Sequence, residues 1–338
     1  MFRASAINKK CARLLNEVVK VNKIRLEVYT EFPRQPGLRI RLRSDSHPDF
    51  CYDGKNFTNY LYCIFLGKSL LEARQTKILE IELHAPSSPV ELDSLKQLSA
   101  CGQMVADVFS NYEIHLECPS EGPAKLFSQR ASFYTPFISQ VRRLVVERKL
   151  LKYFAGLAVD FLEVKSRFDT TNWDFGSLFN INAKTYQCYL FKLHHFCHGG
   201  FEIQPQTKEF YCNMDASVKT SDVMLKNILT SIETTMPNLN LLNLYFFVKP
   251  SSAHRDWTEK YTKMTNNIIN TINFMAEHAR FPIMIRGKIV VANRDRDLIV
   301  GLLQKEFPTM TKFLRYYNNI GMAYRCNDVY VNLNLPKY

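Results

Sequence analysis

Segments in which apolar and polar residues alternate recur along this chain, and most are separated from the next by a stretch of helical periodicity. Ile24, Leu26 and Val28 alternate with Arg25 and Glu27, and Leu38, Ile40 and Leu42 alternate with Arg39, Arg41 and Arg43. Period-2 apolar residues mark half-buried strands. Further strands are expected at 77–84, 112–118, 157–164, 186–196, 239–248, 283–291 and 323–335. Helices are expected at 57–74, 92–109, 137–151, 221–236, 257–280 and 297–307, where apolar residues return every three or four positions. In the longest, Met264, Ile268, Ile272 and Met275 share one face, and Ser221 is placed to cap another. Strands joined by helical crossovers form a largely parallel sheet, so the spacing predicts an α/β fold.

The N-terminal segment has its own character. Residues 1–43 hold eleven lysines and arginines against three glutamates, a net +8 of the chain's +12. Ile7, Cys11, Leu14, Leu15 and Val18 define one face of a helix, with Lys9, Lys10 and Arg13 off that face. The two strands that follow, broken by Pro33, Pro36 and Gly37, predict an antiparallel pair whose polar face is crowded with arginine. Residues 1–45 are therefore read as a basic helix and strand pair, and 46–338 as an irregular helix–strand array. Lys9, Lys10, Arg13, Arg25, Arg39, Arg41 and Arg43 are the candidate residues for an acidic partner, because arginine makes bidentate contacts to carboxylates and phosphates. The bland alternative is a solvated basic surface, helped by Glu27 across the pair.

Composition narrows the class. Apolar residues make up 46% of the chain and charged residues 22%, which suits a packed globular core. No run approaches the 18 apolar residues needed to span a bilayer, so no membrane association is expected. Residues 1–20 carry six charges and lack the apolar core of a secretory signal. The nine cysteines are scattered without a CxxC, as in reduced proteins. A cytoplasmic location is expected, with the nucleus as the alternative.

Leu239, Leu242 and Leu244 follow the LxxLxL spacing of a leucine-rich repeat, and the spacing returns at Val21/Ile24/Leu26, Ile78/Ile81/Leu83 and Phe154/Leu157/Val159. At this apolar content about thirty such matches arise by chance. The Asn or Cys that should follow is replaced by Phe247, Tyr29, Pro86 and Leu162. The expectation is a degenerate, leucine-rich-repeat-like curved sheet rather than a regular horseshoe.

Residues 2–15, Phe-Arg-Ala-Ser-Ala-Ile-Asn-Lys-Lys-Cys-Ala-Arg-Leu-Leu, resemble the closing helix of an F-box, with its serine, short basic pair and leucine pair. Together with the basic strands and helix–strand units after it, the segment resembles the divergent F-box-associated proteins of nematodes. That resemblance implies a protein-binding adaptor related to ubiquitin ligases. The family's opening Leu-Pro and first two helices, which hold the ligase adaptor, have no counterpart here, so weak or absent binding to that adaptor is expected.

Motifs for chemistry are sparse. His194-His195-x-Cys197-His198 is the densest group of metal-capable side chains, but no second ligand pair stands at zinc-finger spacing, and no stoichiometric zinc is expected. Gly67-Lys68-Ser69 ends like a phosphate loop, yet Tyr62 occupies the place of its first glycine. Asn293-Arg294-Asp295-Arg296-Asp297 is read as a turn and helix cap. No cofactor, small-molecule substrate or enzymatic activity is expected. The sequence supports a non-enzymatic protein-interaction scaffold or adaptor whose partner carries an acidic surface. RNA binding through the basic N-terminal region is the alternative.

Overall fold

Alternating leucine, isoleucine and valine residues build most of the strands found, and the helices carry matching apolar stripes. The computed structural model describes residues 24–30, 38–44, 47–54, 56–86, 89–119, 124–165, 176–248, 257–291, 293–315 and 319–336. The predicted helix at 5–20, with Lys9, Lys10 and Arg13, lies outside them. The chain has an α/β fold, helices alternating with strands of a mixed, mostly parallel sheet that does not close. It divides into two compact units, 1–165 and 166–338.

In the first unit, β1 (Ile24–Thr30), β2 (Leu38–Ser44) and β3 (His47–Gly54) form an antiparallel meander. Strand β1 then pairs in parallel with β4 (Ile78–Leu83), followed by β5 (Glu113–Cys118), β6 (Val141–Glu147) and β7 (Ala158–Lys165). The predicted pairing of β1 with β2 is found, with Glu27 opposite Arg41. Helix α1 (Phe57–Ala73) buries Tyr60, Cys63, Ile64, Gly67, Leu70 and Leu71, and the Asn56 side chain accepts from the Asn59 amide at its start. Helix α2 (Leu92–Val108) buries Leu98, Cys101 and Val105. A β-carbon on Gly102 would lie 2.8 Å from the Phe133 carbonyl carbon, so only glycine allows that approach.

The helix expected at 137–151 is not formed. Val141–Glu147 is strand β6, flanked by 3-10 turns at Thr135–Gln140 and Arg148–Phe154. The segment Val-Arg-Arg-Leu-Val-Val is rich in β-branched residues. The parallel neighbours β5 and β7 complete its ladder, and this tertiary pairing outweighs the local helical spacing.

In the second unit, β8 (Asn182–Lys192), β9 (Glu209–Asn213), β10 (Leu241–Val248), β11 (Ile283–Ile289) and β14 (Val329–Leu335) run parallel. Two antiparallel strands, β13 (Asn319–Cys326) and β12 (Thr311–Arg315), extend the sheet beyond β14. The segment expected as one strand at 323–335 is thus a hairpin, turning at Asn327, whose φ is 50°. Helices α3 (Asp222–Thr235), α4 (Trp257–His278) and α5 (Asn293–Glu306) are the long helices of this unit. The Ser221 cap forms as expected, but Val223 stays 71% exposed and is not part of the packed face. Asn293–Asp297 is the first turn of α5 rather than a cap outside it. There Asp295 is buried and accepts from Thr258 Oγ1 at 2.7 Å.

Candidate functional site

A parallel sheet shows its alternate side chains to one face, and in each unit one of these rows is polar. The two polar faces differ in how their charges are satisfied.

In the first unit, Leu26, Val28, Leu79, Ile81, Leu83, Ile114, Leu116, Leu144 and Val146 are buried, which leaves the intervening residues on the other face. Registration places Arg25, Glu80, His115, Arg143 and Phe161 in one row across five strands, with Glu27, Glu82, Glu117, Val145 and Glu163 in the next. Arg25 bonds the Glu82 carboxylate and lies 3.7 Å from Glu80 and 3.5 Å from Glu117. His84 Nε2 is 2.9 Å from Glu82, Lys165 Nζ is 2.9 Å from Glu117, and Arg143 Nη2 is 3.3 Å from Glu163. Arg143 also stacks over Phe161, 4.2 Å from the ring centroid. A cavity of about 360 Å³ is lined in part by Arg25, Glu80, His115, Glu117, Arg143 and Lys165. Burial would raise the Glu82 carboxyl, but hydrogen bonds from His84 and Arg25, and their charges, bring it down to about 2.

The structure therefore separates the arginines singled out from sequence. Arg25 is held within a carboxylate network, and Arg41 lies 3.9 Å from Glu27, itself 4% exposed. Arg39 and Arg43 sit on β2 opposite Tyr29 and Arg25, and their side chains lie outside the described residues. What sequence counting missed is the acidic half of the network. Glu80, Glu82, Glu117 and Glu163 lie on three other strands, and only the sheet order brings them to Arg25 and Arg143.

The second unit presents a different face. Leu242, Leu244, Phe246, Ile283, Ile285, Val329, Val331 and Leu333 are buried. The opposite face carries Tyr211 and Asn213 on β9, then Asn243, Tyr245 and Phe247 on β10. Met284, Arg286 and Lys288 follow on β11, and Tyr330, Asn332 and Asn334 on β14. Tyr245 and Phe247 are 37% and 52% exposed, and Tyr189 of β8 is 42% exposed. Tyr189 and Tyr245 meet edge to face with centroids 5.9 Å apart. Lys288 lies 5.7 Å from the Phe247 centroid, and Arg325 of β13 lies 4.7 Å from that of Tyr330. Tyr211 donates to Glu209 at 3.0 Å. A depression of about 500 Å³ is lined in part by Met284, Thr309, Thr311, Arg325, Tyr330 and Asn332.

Three asparagines on this face hold polar atoms that are buried and make no hydrogen bond among the described residues: Asn213 Oδ1, Asn243 Nδ2 and Asn334 Oδ1. Asn213 donates its other amide atom to the Tyr189 carbonyl. The sequence signal for this face was present as strands whose outward positions read Asn-x-Tyr-x-Phe, Met-x-Arg-x-Lys and Tyr-x-Asn-x-Asn. It becomes a surface only when β10, β11 and β14 stand side by side.

The histidine cluster lies on a 3-10 turn, Leu193–His198, rather than on a strand. His195 Nδ1 accepts from the Lys192 amide at 2.9 Å, and burial pushes its imidazole down to about 4. Lys192 pairs with Asp215 at 3.0 Å. Among the described residues no three His, Cys, Asp or Glu side chains are placed to share a metal ion. No described helix is long and apolar enough to cross a membrane. No protein-family model, curated protein or solved structure matches the chain.

Proposed function

We propose that this protein is a non-enzymatic interaction scaffold, an adaptor of F-box-related ancestry, whose working surface is the open sheet face of residues 166–338. One observation carries the reading: Tyr189, Tyr245 and Phe247 stand exposed on one sheet face with Arg286 and Lys288 opposite Tyr245 and Phe247 on the neighbouring strand, and Arg325 farther along the same face over Tyr330, while the other face is packed. Tyrosine, phenylalanine, methionine and arginine are the residue types enriched at protein interfaces, and aromatic anchors dominate their energies. On β9, β10, β11, β13 and β14 the outward charges among the described residues are Arg286, Lys288 and Arg325 against Glu209. That excess of two positive charges suits a partner with an acidic surface. Nucleic-acid interfaces are far more positive than this, so the same balance weighs against RNA on this face.

The test is capture from lysate, with and without nuclease treatment, by the full chain and by the variant Tyr189→Ala/Tyr245→Ala/Phe247→Ala. Protein partners retained by the parent and lost from the triple variant, with an unchanged melting curve, are expected. Partners kept equally by both would move the working surface elsewhere. Partners that vanish with nuclease would return the N-terminal RNA reading.

A further inference from the structure

The amide atoms of Asn213, Asn243 and Asn334 raise a separate question, because a buried polar atom without a partner destabilises a fold. Surface asparagines avoid that cost by facing water. Here three of them, on β9, β10 and β14, each hold a buried amide atom with no hydrogen-bond partner among the described residues, on the face opposite the packed one. A side-chain amide offers one donor group and one acceptor, the same pair that a peptide group carries. Two of the unmet atoms are acceptors suited to main-chain N–H, and one is a donor suited to a main-chain carbonyl. The register sets Asn243 level with Tyr211, Asn213 level with Tyr245 and Asn334 level with Phe247, so the three are stepped by two residues along the strands over the three strand intervals, about 14 Å, from β9 to β14, and a segment meeting all three crosses obliquely.

We propose that this face holds an extended acidic peptide segment running across the strands, its main chain gripped by Asn213, Asn243 and Asn334 and its carboxylates by Arg286, Lys288 and Arg325. The inference rests on the reading above and names the chemistry of the partner. Tyr189, Tyr245 and Phe247 supply apolar contact between the polar grips. The depression beside Arg325 and Tyr330 takes one side chain of the segment. Single-stranded RNA would stack on the same rings, but Lys288 already lies over Phe247, as Arg325 does over Tyr330, and three cations are few for a phosphate backbone.

The experiment is selection of random 12-residue displayed peptides on the full chain, followed by anisotropy with the best labelled peptide. Peptides rich in Asp and Glu should be enriched. Asn213→Leu/Asn243→Leu/Asn334→Leu should weaken binding by about 100-fold, from three hydrogen bonds at about 1 kcal/mol each. That variant removes three unpartnered buried atoms but also the Asn213 bond to the Tyr189 carbonyl, so its melting temperature should change little. Arg286→Gln/Lys288→Gln, a surface change, should weaken binding at least about tenfold. Enriched peptides without an acidic excess, or equal binding by the leucine variant, would overturn this inference and leave the protein-partner reading intact. No enrichment beyond that on Tyr245→Ala/Phe247→Ala, or tighter binding of labelled oligo-uridylate than of any selected peptide, would overturn both.

Discussion

Arg130 is the side chain whose replacement tests the physical reasoning most sharply. It is fully buried between the 3-10 turn Ala124–Arg130 and the end of β4. Its Nε donates to the His84 carbonyl at 3.0 Å, while Nη1 and Nη2 find no partner among the described residues. Burial pushes the guanidinium down from 12.5 to about 10. At about 1.4 kcal/mol per tenfold change in proton affinity, this is about 3 kcal/mol against the charged form. Arg130→Met keeps the apolar stem and removes that cost, but loses a charge-assisted hydrogen bond worth about 1.5 kcal/mol. The net expectation is a gain of about 1–2 kcal/mol, or a rise in Tm of about 3–6 °C for a unit of this size. The sign with pH follows from the direction of the shift. A base pushed down on folding is penalised in full below its folded value, so the gain should be constant from about pH 6 to 8. Urea and thermal denaturation of parent and variant measure it. A fall in Tm of several degrees would refute the reasoning and show that the buried guanidinium is paired.

Other expectations follow from single contacts. Glu82, brought from 4.5 to about 2, stabilises the fold above about pH 4.5 and loses that contribution as pH falls toward 2, so the urea-midpoint gap between parent and Glu82→Gln should narrow only below about 4.5. A β-carbon on Gly287 would enter the Phe246 ring on the neighbouring strand, so Gly287→Ala should cost about 1–3 kcal/mol, and Phe246→Leu in the same chain should recover part of it in a double-mutant cycle. Gln204 is buried, accepts from Tyr186 Oη at 2.9 Å and donates to the Phe179 carbonyl at 2.6 Å. Gln204→Leu should therefore cost about 2–3 kcal/mol in urea denaturation.

Much of the fold was legible because periodicity is local. The alternation in β1, β2, β4 and β10, and the three-and-four spacing in α1, α2 and α4, are properties of consecutive residues, and the structure reproduces them. Strand β6 failed for a reason of the same kind: apolar residues from Phe137 to Leu151 fit a helix as well as a strand with turns on either side. Only the ladders to β5 and β7 decide between them. The short strand β9 was missed because Glu209–Asn213 spans five residues, too few for alternation to stand out. Strand β3 was missed because His-Pro-Asp-Phe-Cys-Tyr-Asp-Gly has turn-forming residues and little alternation.

The candidate site was far less legible, and charge explains why. A linear count marks residues 1–43 as the basic field, since eleven cations there face three carboxylates. Folding changes the account strand by strand. Arg25 leaves that field for Glu80, Glu82 and Glu117, which lie 55 to 92 positions away in the chain. A cation held by carboxylates at hydrogen-bond distance has little left to offer an acidic partner, because docking would have to displace bonds already made. On the second unit's sheet the arithmetic runs the other way. Its residues show no basic run in sequence, yet the sheet collects Arg286, Lys288 and Arg325 from β11 and β13 around exposed rings, with Glu209 as the one outward carboxylate among the described residues of β9, β10, β11, β13 and β14. What decides where a partner binds is therefore not the density of charge along the chain but the charge that remains unmatched once strands are placed in register.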